Sequence, residues 1–173
     1  LWMLLLAGLV GGKVFFSRDR AEWADMNALY NAADVVLNRS CNEGFGVPVL
    51  EGLMCGKPVI TIKTGGLTRQ AVNHETGEQH GVALDPEVSP LVGNQMVPYI
   101  KEDYVSDKTY ADALWQMHET PAAERAALGM RAREYALREF SMEKMVGDWD
   151  DTLTQTIDRW HSARPSRWRK VTL

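Results

Sequence analysis

The residue pattern predicts an α/β fold: a parallel sheet flanked by helices, followed by a helical C-terminal tail. Three observations carry this. Short β-branched apolar runs alternate with segments of helical periodicity between residues 13 and 62. The connections between them are short, as in β-α-β units with right-handed crossovers. From Tyr110 onward the pattern is helical throughout.

The elements follow in order. The chain opens on an apolar run, Leu1 to Val10, closed by Gly11-Gly12. That run is shorter than the roughly 20 residues a membrane span needs, and it lacks the charged leader and cleavage site of a secretory signal. It reads as a core element entered partway, so the chain is expected to be a fragment of a longer protein. Lys13 to Phe16 is a strand, and Arg18 to Ala32 a helix with Trp23, Met26, Leu29 and Tyr30 on one face. Val35-Val36-Leu37 reads as a buried strand, and Asn38 to Gly46 as a loop rich in Asn, Ser and Gly. Pro48 then falls in the first turn of a helix that Gly56 ends and Pro58 follows. Val59 to Ile62 is a further strand, and Thr64-Gly65-Gly66 opens a loop and a short helix.

Val82 to Leu84 is a short strand, and Asp85 to Asp107 is irregular, with Pro86, Pro90, Gly93 and Pro98. Three helices close the chain. The first is Tyr110 to His118. The second is Pro121 to Phe140, with Pro121 in its first turn. The third is capped by Ser141 and runs to about Trp160, with Met145, Trp149, Leu153 and Ile157 on one face.

The 173 residues suffice for one domain with a sizeable core. Apolar content of 45% and charged content of 24% are those of a globular protein. A net charge of -4 argues against nucleic acid as a partner. The basic stretch Arg164 to Lys170 reads as a solvated terminus. Cys41 and Cys55 make no disulfide framework, and the four histidines fit no zinc spacing. A reduced cytoplasmic protein, free or peripheral to the inner membrane face, is expected.

The chemistry concentrates in residues 42 to 52. Glu43 lies in a Gly-rich loop at the carboxyl end of a strand, where α/β sheets bind ligands. Glu51, eight positions on, is placed in the first turn of the next helix. Gly44 and Gly46 let backbone approach a ligand. Free N–H groups from Gly46 to Val49 would form an anion site suited to a diphosphate. A carboxylate at Glu51 can take two neighbouring ribose hydroxyls at once. Taken alone, the two carboxylates fit a plainer role better, the stabilisation of a helix N-terminus by about 0.3–1 kcal/mol each.

The stretch from Leu29-Tyr30-Asn31-Ala32-Ala33-Asp34 to Gly66 resembles the signature region of a large family of retaining glycosyltransferases. That family includes sucrose synthases and bacterial mannosyl- and glucosyltransferases. The resemblance rests on Glu-x7-Glu (Glu43 to Glu51) within Glu-Gly-Phe-Gly, before Gly56-Lys57-Pro58-Val59-Ile60. Thr64-Gly65-Gly66, Glu75-Thr76-Gly77 and Phe140-Ser141 extend it. It covers the chain from Val14 to about Trp160. It implies a GT-B fold, two Rossmann-like domains facing across a cleft. Residues 1–140 would be part of the nucleotide-sugar domain, and residues 141–173 a crossover helix and basic tail. The N-terminal acceptor domain would be absent from this chain.

The resemblance also implies roles. Glu51 would bind the donor ribose. Glu43, the catalytic candidate, would contact hydroxyls of the transferred sugar. The loop Gly44, Phe45, Gly46 and Val47 would line sugar and diphosphate with its N–H groups, and Thr64, Gly65 and Gly66 are candidates for a donor loop. No cofactor and no metal are implied beyond the nucleotide-diphosphate sugar itself. The acceptor would be a glycan, a lipid or a small molecule. The final helix would pack on the N-terminal domain, and the surface left by that domain would favour self-association. The Arg and Lys that clamp the diphosphate in such enzymes would precede Leu1, and Arg39, Lys57 and Arg69 do not take their positions.

Two other function classes stay open: a nucleotide-sugar-binding module without catalysis, and a GT-B-type epimerase. Asp148-Trp149-Asp150 falls in a helical pattern and reads as a solvated face. His74 and His80 are expected at the surface, Met26, Met54, Met130 and Met145 in the core, and Tyr99 and Tyr104 in loop packing.

Overall fold

The computed structural model describes residues 21–163. The expected opening element, the Lys13–Phe16 strand and the basic tail lie outside them. Among the described residues, three parallel strands form one sheet in the order β1 (Val36–Leu37), β2 (Val59–Ile62) and β3 (Gly81–Leu84). Val36 pairs with Val59, and Val59 with Gly81. The helices are α1 (Trp23–Ala32), α2 (Val47–Met54), α3 (Leu67–Ala71), α4 (Asp107–Glu119), α5 (Ala122–Glu139) and α6 (Met142–Ser162).

Strand alternation divides the core in two. Ile60, Ile62, Val82 and Leu84 pack against Tyr110, Ala113 and Met117 of α4. Val59, on the other face, packs with Val49 and Leu53 of α2, Leu67 of α3, and Ala132 and Ala136 of α5. All four residues of β2 are buried, as a central strand covered on both faces must be. Val35-Val36-Leu37, expected to be buried, is not. Val36 is half-buried and Leu37 is 41% exposed, because β1 is the edge of the described sheet.

α2 ends as its sequence predicts. Gly56, at φ 70°, follows the cap residue Cys55. The Gly56 N–H donates to the Leu53 carbonyl (2.9 Å) and the Lys57 N–H to the Gly52 carbonyl (3.0 Å). These two bonds satisfy carbonyls the helix end would leave open. Pro121 is the N-cap of α5 (φ -55°, ψ 142°), one position before the first turn where it was expected. The Ser141 hydroxyl accepts from the Lys144 N–H at the start of α6, as anticipated.

Two amphipathic helices keep their apolar faces open. α1 begins at Trp23, five residues later than its pattern suggests, and buries no residue. α6 buries none either, and Met145, Trp149, Leu153, Ile157 and Trp160 are all exposed. Met130 and Met145 are therefore not core residues, at 50% and 49% exposure, whereas Met117 is buried.

Candidate functional site

The loop that carries Glu43 is clamped against the segment before α3. The Gly66 N–H donates to the Glu43 carbonyl (3.1 Å). A side chain at Gly65 would put its Cβ 2.1 Å from that same carbonyl oxygen, and one at Gly66 would reach Phe45 Cα at 2.6 Å. Only glycines allow backbone to lie on backbone this closely. Gly65 and Gly66, two of the donor-loop candidates, thus lie against Glu43, Gly44 and Phe45. The half-buried Glu43 side chain accepts from the Ser40 hydroxyl (3.2 Å).

Gly46 caps α2 in the left-handed region, at φ 90°. Its carbonyl accepts from the N–H groups of Val49 (3.1 Å) and Leu50 (3.2 Å). Pro48 has no N–H. The Val49 N–H is therefore not among the free donors expected over Gly46 to Val49. The N–H groups of Phe45, Gly46 and Val47, like that of Gly44, have no acceptor among the described residues. From below, the Gln70 Nε2 of α3 donates to the Phe45 carbonyl (2.5 Å).

Glu51 falls in the second turn of α2, not the first, because the helix starts at Val47. Its Oε2 accepts from the Tyr30 hydroxyl of α1 at 2.9 Å. Burial first, and then that hydrogen bond, push the Tyr30 phenol up to about 12, so it remains a donor across the neutral range. Two open clefts of about 220 Å³ each meet at Glu51 and share Trp23 and Met26; one extends to Ala21, the other to Tyr30 and Met54. Sequence reading placed Tyr30 on an apolar face and missed its bond to a carboxylate 21 positions away.

The irregular segment after β3 lies beside the residues that precede Glu43. It folds back on itself, pairing Val88 with Tyr104 and Leu91 with Lys101. Its return arm reaches the residues just before Glu43: the Asp103 N–H donates to the Cys41 carbonyl (2.7 Å), and Asn42 Nδ2 to the Lys101 carbonyl (3.1 Å). The hydroxyls of Ser89 and, next, Thr64 hold the Asp103 carboxyl below its ordinary value. Tyr99 and Tyr104 are exposed on this segment.

His80 is buried, contrary to expectation. Its ring lies 4.5 Å from that of Tyr135, and its Nδ1–H donates to the Gln70 carbonyl (2.8 Å). Burial lowers its pKa. His74 is exposed, as expected, and shares a 2.9 Å bond with the Tyr135 hydroxyl. Asp148 and Asp150 are on helical turns of α6, with Asp148 bonded to Lys144 (2.9 Å). Arg39 pairs with Asp107, and Arg69 with Glu139 (3.1 Å), so both cations are engaged away from Glu43 and Glu51. Cys41 and Cys55 are free thiols. Among the described residues, no helix is long and apolar enough to cross a membrane, and no three acidic, His or Cys side chains gather as a metal site.

The chain is similar to known proteins over most of its length. It is 39% identical over 115 residues to a D-inositol 3-phosphate glycosyltransferase of Saccharomonospora viridis, a match that covers 66% of this chain and 21% of the relative. A protein of the same description from Pseudarthrobacter chlorophenolicus is 42% identical over 139 residues, covering 80% and 26%. A trehalose synthase of Pyrococcus horikoshii is 34% identical over 95 residues, covering 49% and 23%. The chain thus spans about a quarter of the length of these curated relatives.

Among solved structures, Anabaena HepE in complex with UDP-glucose superposes with a TM-score of 0.61 at 22% identity, over 89% of this chain and 36% of that one. The sucrose-phosphate synthase of Thermosynechococcus elongatus gives 0.62 at 21% identity, over 91% and 33%. These likenesses establish the fold, the parallel sheet and helices of a GT-B half. The model of the family described as glycosyl transferases group 1 matches residues 4–90, which include Glu43, Glu51 and the Thr64–Gly66 turn. The chain belongs to the glycosyl transferases group 1 family.

Proposed function

We propose that this chain is the donor-binding part of an enzyme that transfers a hexose from a nucleotide-diphosphate sugar to an acceptor hydroxyl, with retention of configuration. The reading rests on one observation above the others. The Glu43 loop is tied through its carbonyls to α3, and its Phe45, Gly46 and Val47 N–H groups have no acceptor among the described residues. Such a loop is a preorganised row of donors for an anion. Family membership and the UDP-glucose bound by the HepE relative support the same substrate class.

In this reading the Glu51 Oε1 and the remaining lone pairs of Oε2 accept the ribose hydroxyls, while Tyr30 holds the carboxylate still. Glu43 accepts hydroxyls of the sugar being transferred. The acceptor oxygen forms a bond to the anomeric carbon on the face the diphosphate leaves. The bond from that carbon to the phosphate oxygen breaks, and the nucleoside diphosphate departs with the electron pair and takes the acceptor proton. The loop N–H groups offset the charge that builds on it. The acceptor is a glycan, a lipid or a small molecule held mainly by a second domain, against which the open α6 face packs.

The test is turnover by the full-length protein supplied with UDP-, GDP- and ADP-hexoses, followed by NMR of the product. Release of one nucleoside diphosphate, an anomeric centre of unchanged configuration, and turnover that survives EDTA are expected. An inverted centre, turnover abolished by EDTA, or a free epimerised nucleotide sugar contradicts the reading.

A further inference from the structure

We propose that Gln70 is a positioning residue for the donor diphosphate: its amide fixes the direction in which the Gly46 N–H points. The inference rests on the donor-binding reading above. Gln70 is completely buried. A buried amide needs partners, and leaving one of its atoms without any is costly. Yet Gln70 Oε1 has no hydrogen-bond partner among the described residues, while Nε2 donates to the Phe45 carbonyl at 2.5 Å. Leu or Met would fill this volume without that cost, so the amide is doing something an apolar residue would not.

The peptide geometry shows what. The described peptide bonds are all trans. In a trans peptide the C=O and N–H of one unit point in opposite directions in one plane. The Phe45 carbonyl and the Gly46 N–H belong to the same unit. Holding the carbonyl on Gln70 therefore turns the Gly46 N–H away from the Gln70 amide. The Gly66 N–H on the Glu43 carbonyl does the same for the Gly44 N–H. Two carbonyls held on the segment of α3 thus set the Gly44 and Gly46 N–H groups on the opposite side of the loop.

Gln70 is itself locked. Its backbone carbonyl accepts the His80 ring N–H (2.8 Å), and its Oε1 faces Gly46, 3.4 Å from where a Cβ on that residue would stand. Gln70 therefore links the buried His80, through its backbone carbonyl, to the donor loop, through its side-chain amide. Gly46 must also remain glycine for this arrangement: at φ 90°, its Cβ would fall 2.3 Å from Leu67 Cδ2.

The experiment compares nucleoside diphosphates with their monophosphates on the full-length protein. UDP and UMP, GDP and GDP's monophosphate GMP, and ADP and AMP are titrated by calorimetry into the unsubstituted protein and Gln70→Met. The diphosphate-to-monophosphate affinity ratio is expected to fall about tenfold in Gln70→Met, the effect of misdirecting one donor to a charged group, with monophosphate binding retained. An unchanged ratio overturns the role of Gln70 and leaves the donor-binding reading standing. No binding of any nucleotide by the unsubstituted protein overturns both. Should Gln70→Met fail to fold, the unsubstituted protein decides: the Gly46 amide proton moves downfield on titration with the bound diphosphate, and an unmoved resonance contradicts the proposal.

Discussion

Glu43 sits in a loop bonded to α3 through the Gly66 N–H and the Gln70 amide, with the buried His80 behind it. Glu51 projects from α2 toward an open cleft, where its recorded partner is the Tyr30 hydroxyl of a helix that buries no residue. The two carboxylates belong to one motif, yet one wall is built from the core and the other from an exposed helix. The difference teaches a division of labour. On the proposed reading, the braced wall would hold fixed geometry around the reacting sugar, where a small misplacement is expensive, and the open wall would need only to hold a ribose.

The sharpest way to break this contrast is Glu43→Gln. It keeps the shape and removes the charge. Turnover is expected to fall roughly a hundredfold or more, with folding stability changed by less than about 1 kcal/mol. Initial rates and urea unfolding read the two quantities separately. Equal losses of rate and stability would make Glu43 a structural residue.

Gly66→Ala tests the bracing itself. Its Cβ would lie 2.5 Å from the Gly44 carbonyl and 2.6 Å from Phe45 Cα. Overpacking of this kind costs about 1–3 kcal/mol. Gly44→Ala is the control, since a Cβ there meets nothing within 4 Å. A shift in the urea midpoint for Gly66→Ala and little for Gly44→Ala is expected; equal shifts would mean that the two loops do not press on each other.

On the open wall the effect is smaller. Tyr30→Phe deletes one hydrogen bond to Glu51, worth about 1 kcal/mol. The donor KM is expected to rise about fivefold with kcat little changed. A fall in kcat at unchanged KM would move Glu51 from ribose binding to the chemical step.

The smallest effect concerns pH. Burial lowers the His80 pKa in the folded chain from its ordinary 6.5. Between that lowered value and 6.5, the unfolded state binds more protons than the folded one. Stability therefore falls as pH drops below about 6.5 and levels off once His80 protonates in the folded state. Unfolding free energy measured from pH 7.5 downward should show a slope that His80→Gln reduces. An identical slope in the variant would place the titration elsewhere.

Much of this was legible in the chain. Pro48 and Gly56 bracket α2 because one tolerates a helix start and the other a left-handed exit. The Thr64-Gly65-Gly66 turn and the Glu43 loop were both identifiable, but their contact, bridging 23 positions between Glu43 and Gly66, depends on how α2 and β2 carry the chain round. Periodicity sees the Tyr30 ring and not its partner, so the pattern puts Tyr30 on an apolar face. The burial of His80 is hidden for a related reason: its ring packs on Tyr135, 55 positions later. Glu51 falls in the second turn and not the first because Gly46, at positive φ, caps a helix that already starts at Val47. The α6 stripe was visible in full, but amphipathicity says that a face is apolar and not what covers it.

The most direct measurement is calorimetric titration of UDP, GDP and ADP into the protein beside Glu51→Ala and Glu43→Gln. A bare nucleoside diphosphate carries the ribose and lacks the sugar. One of the three is expected to bind, to weaken in Glu51→Ala, and to bind unchanged in Glu43→Gln. Weakening in Glu43→Gln alone, or in neither variant, would contradict the assignment of the two carboxylates to sugar and ribose.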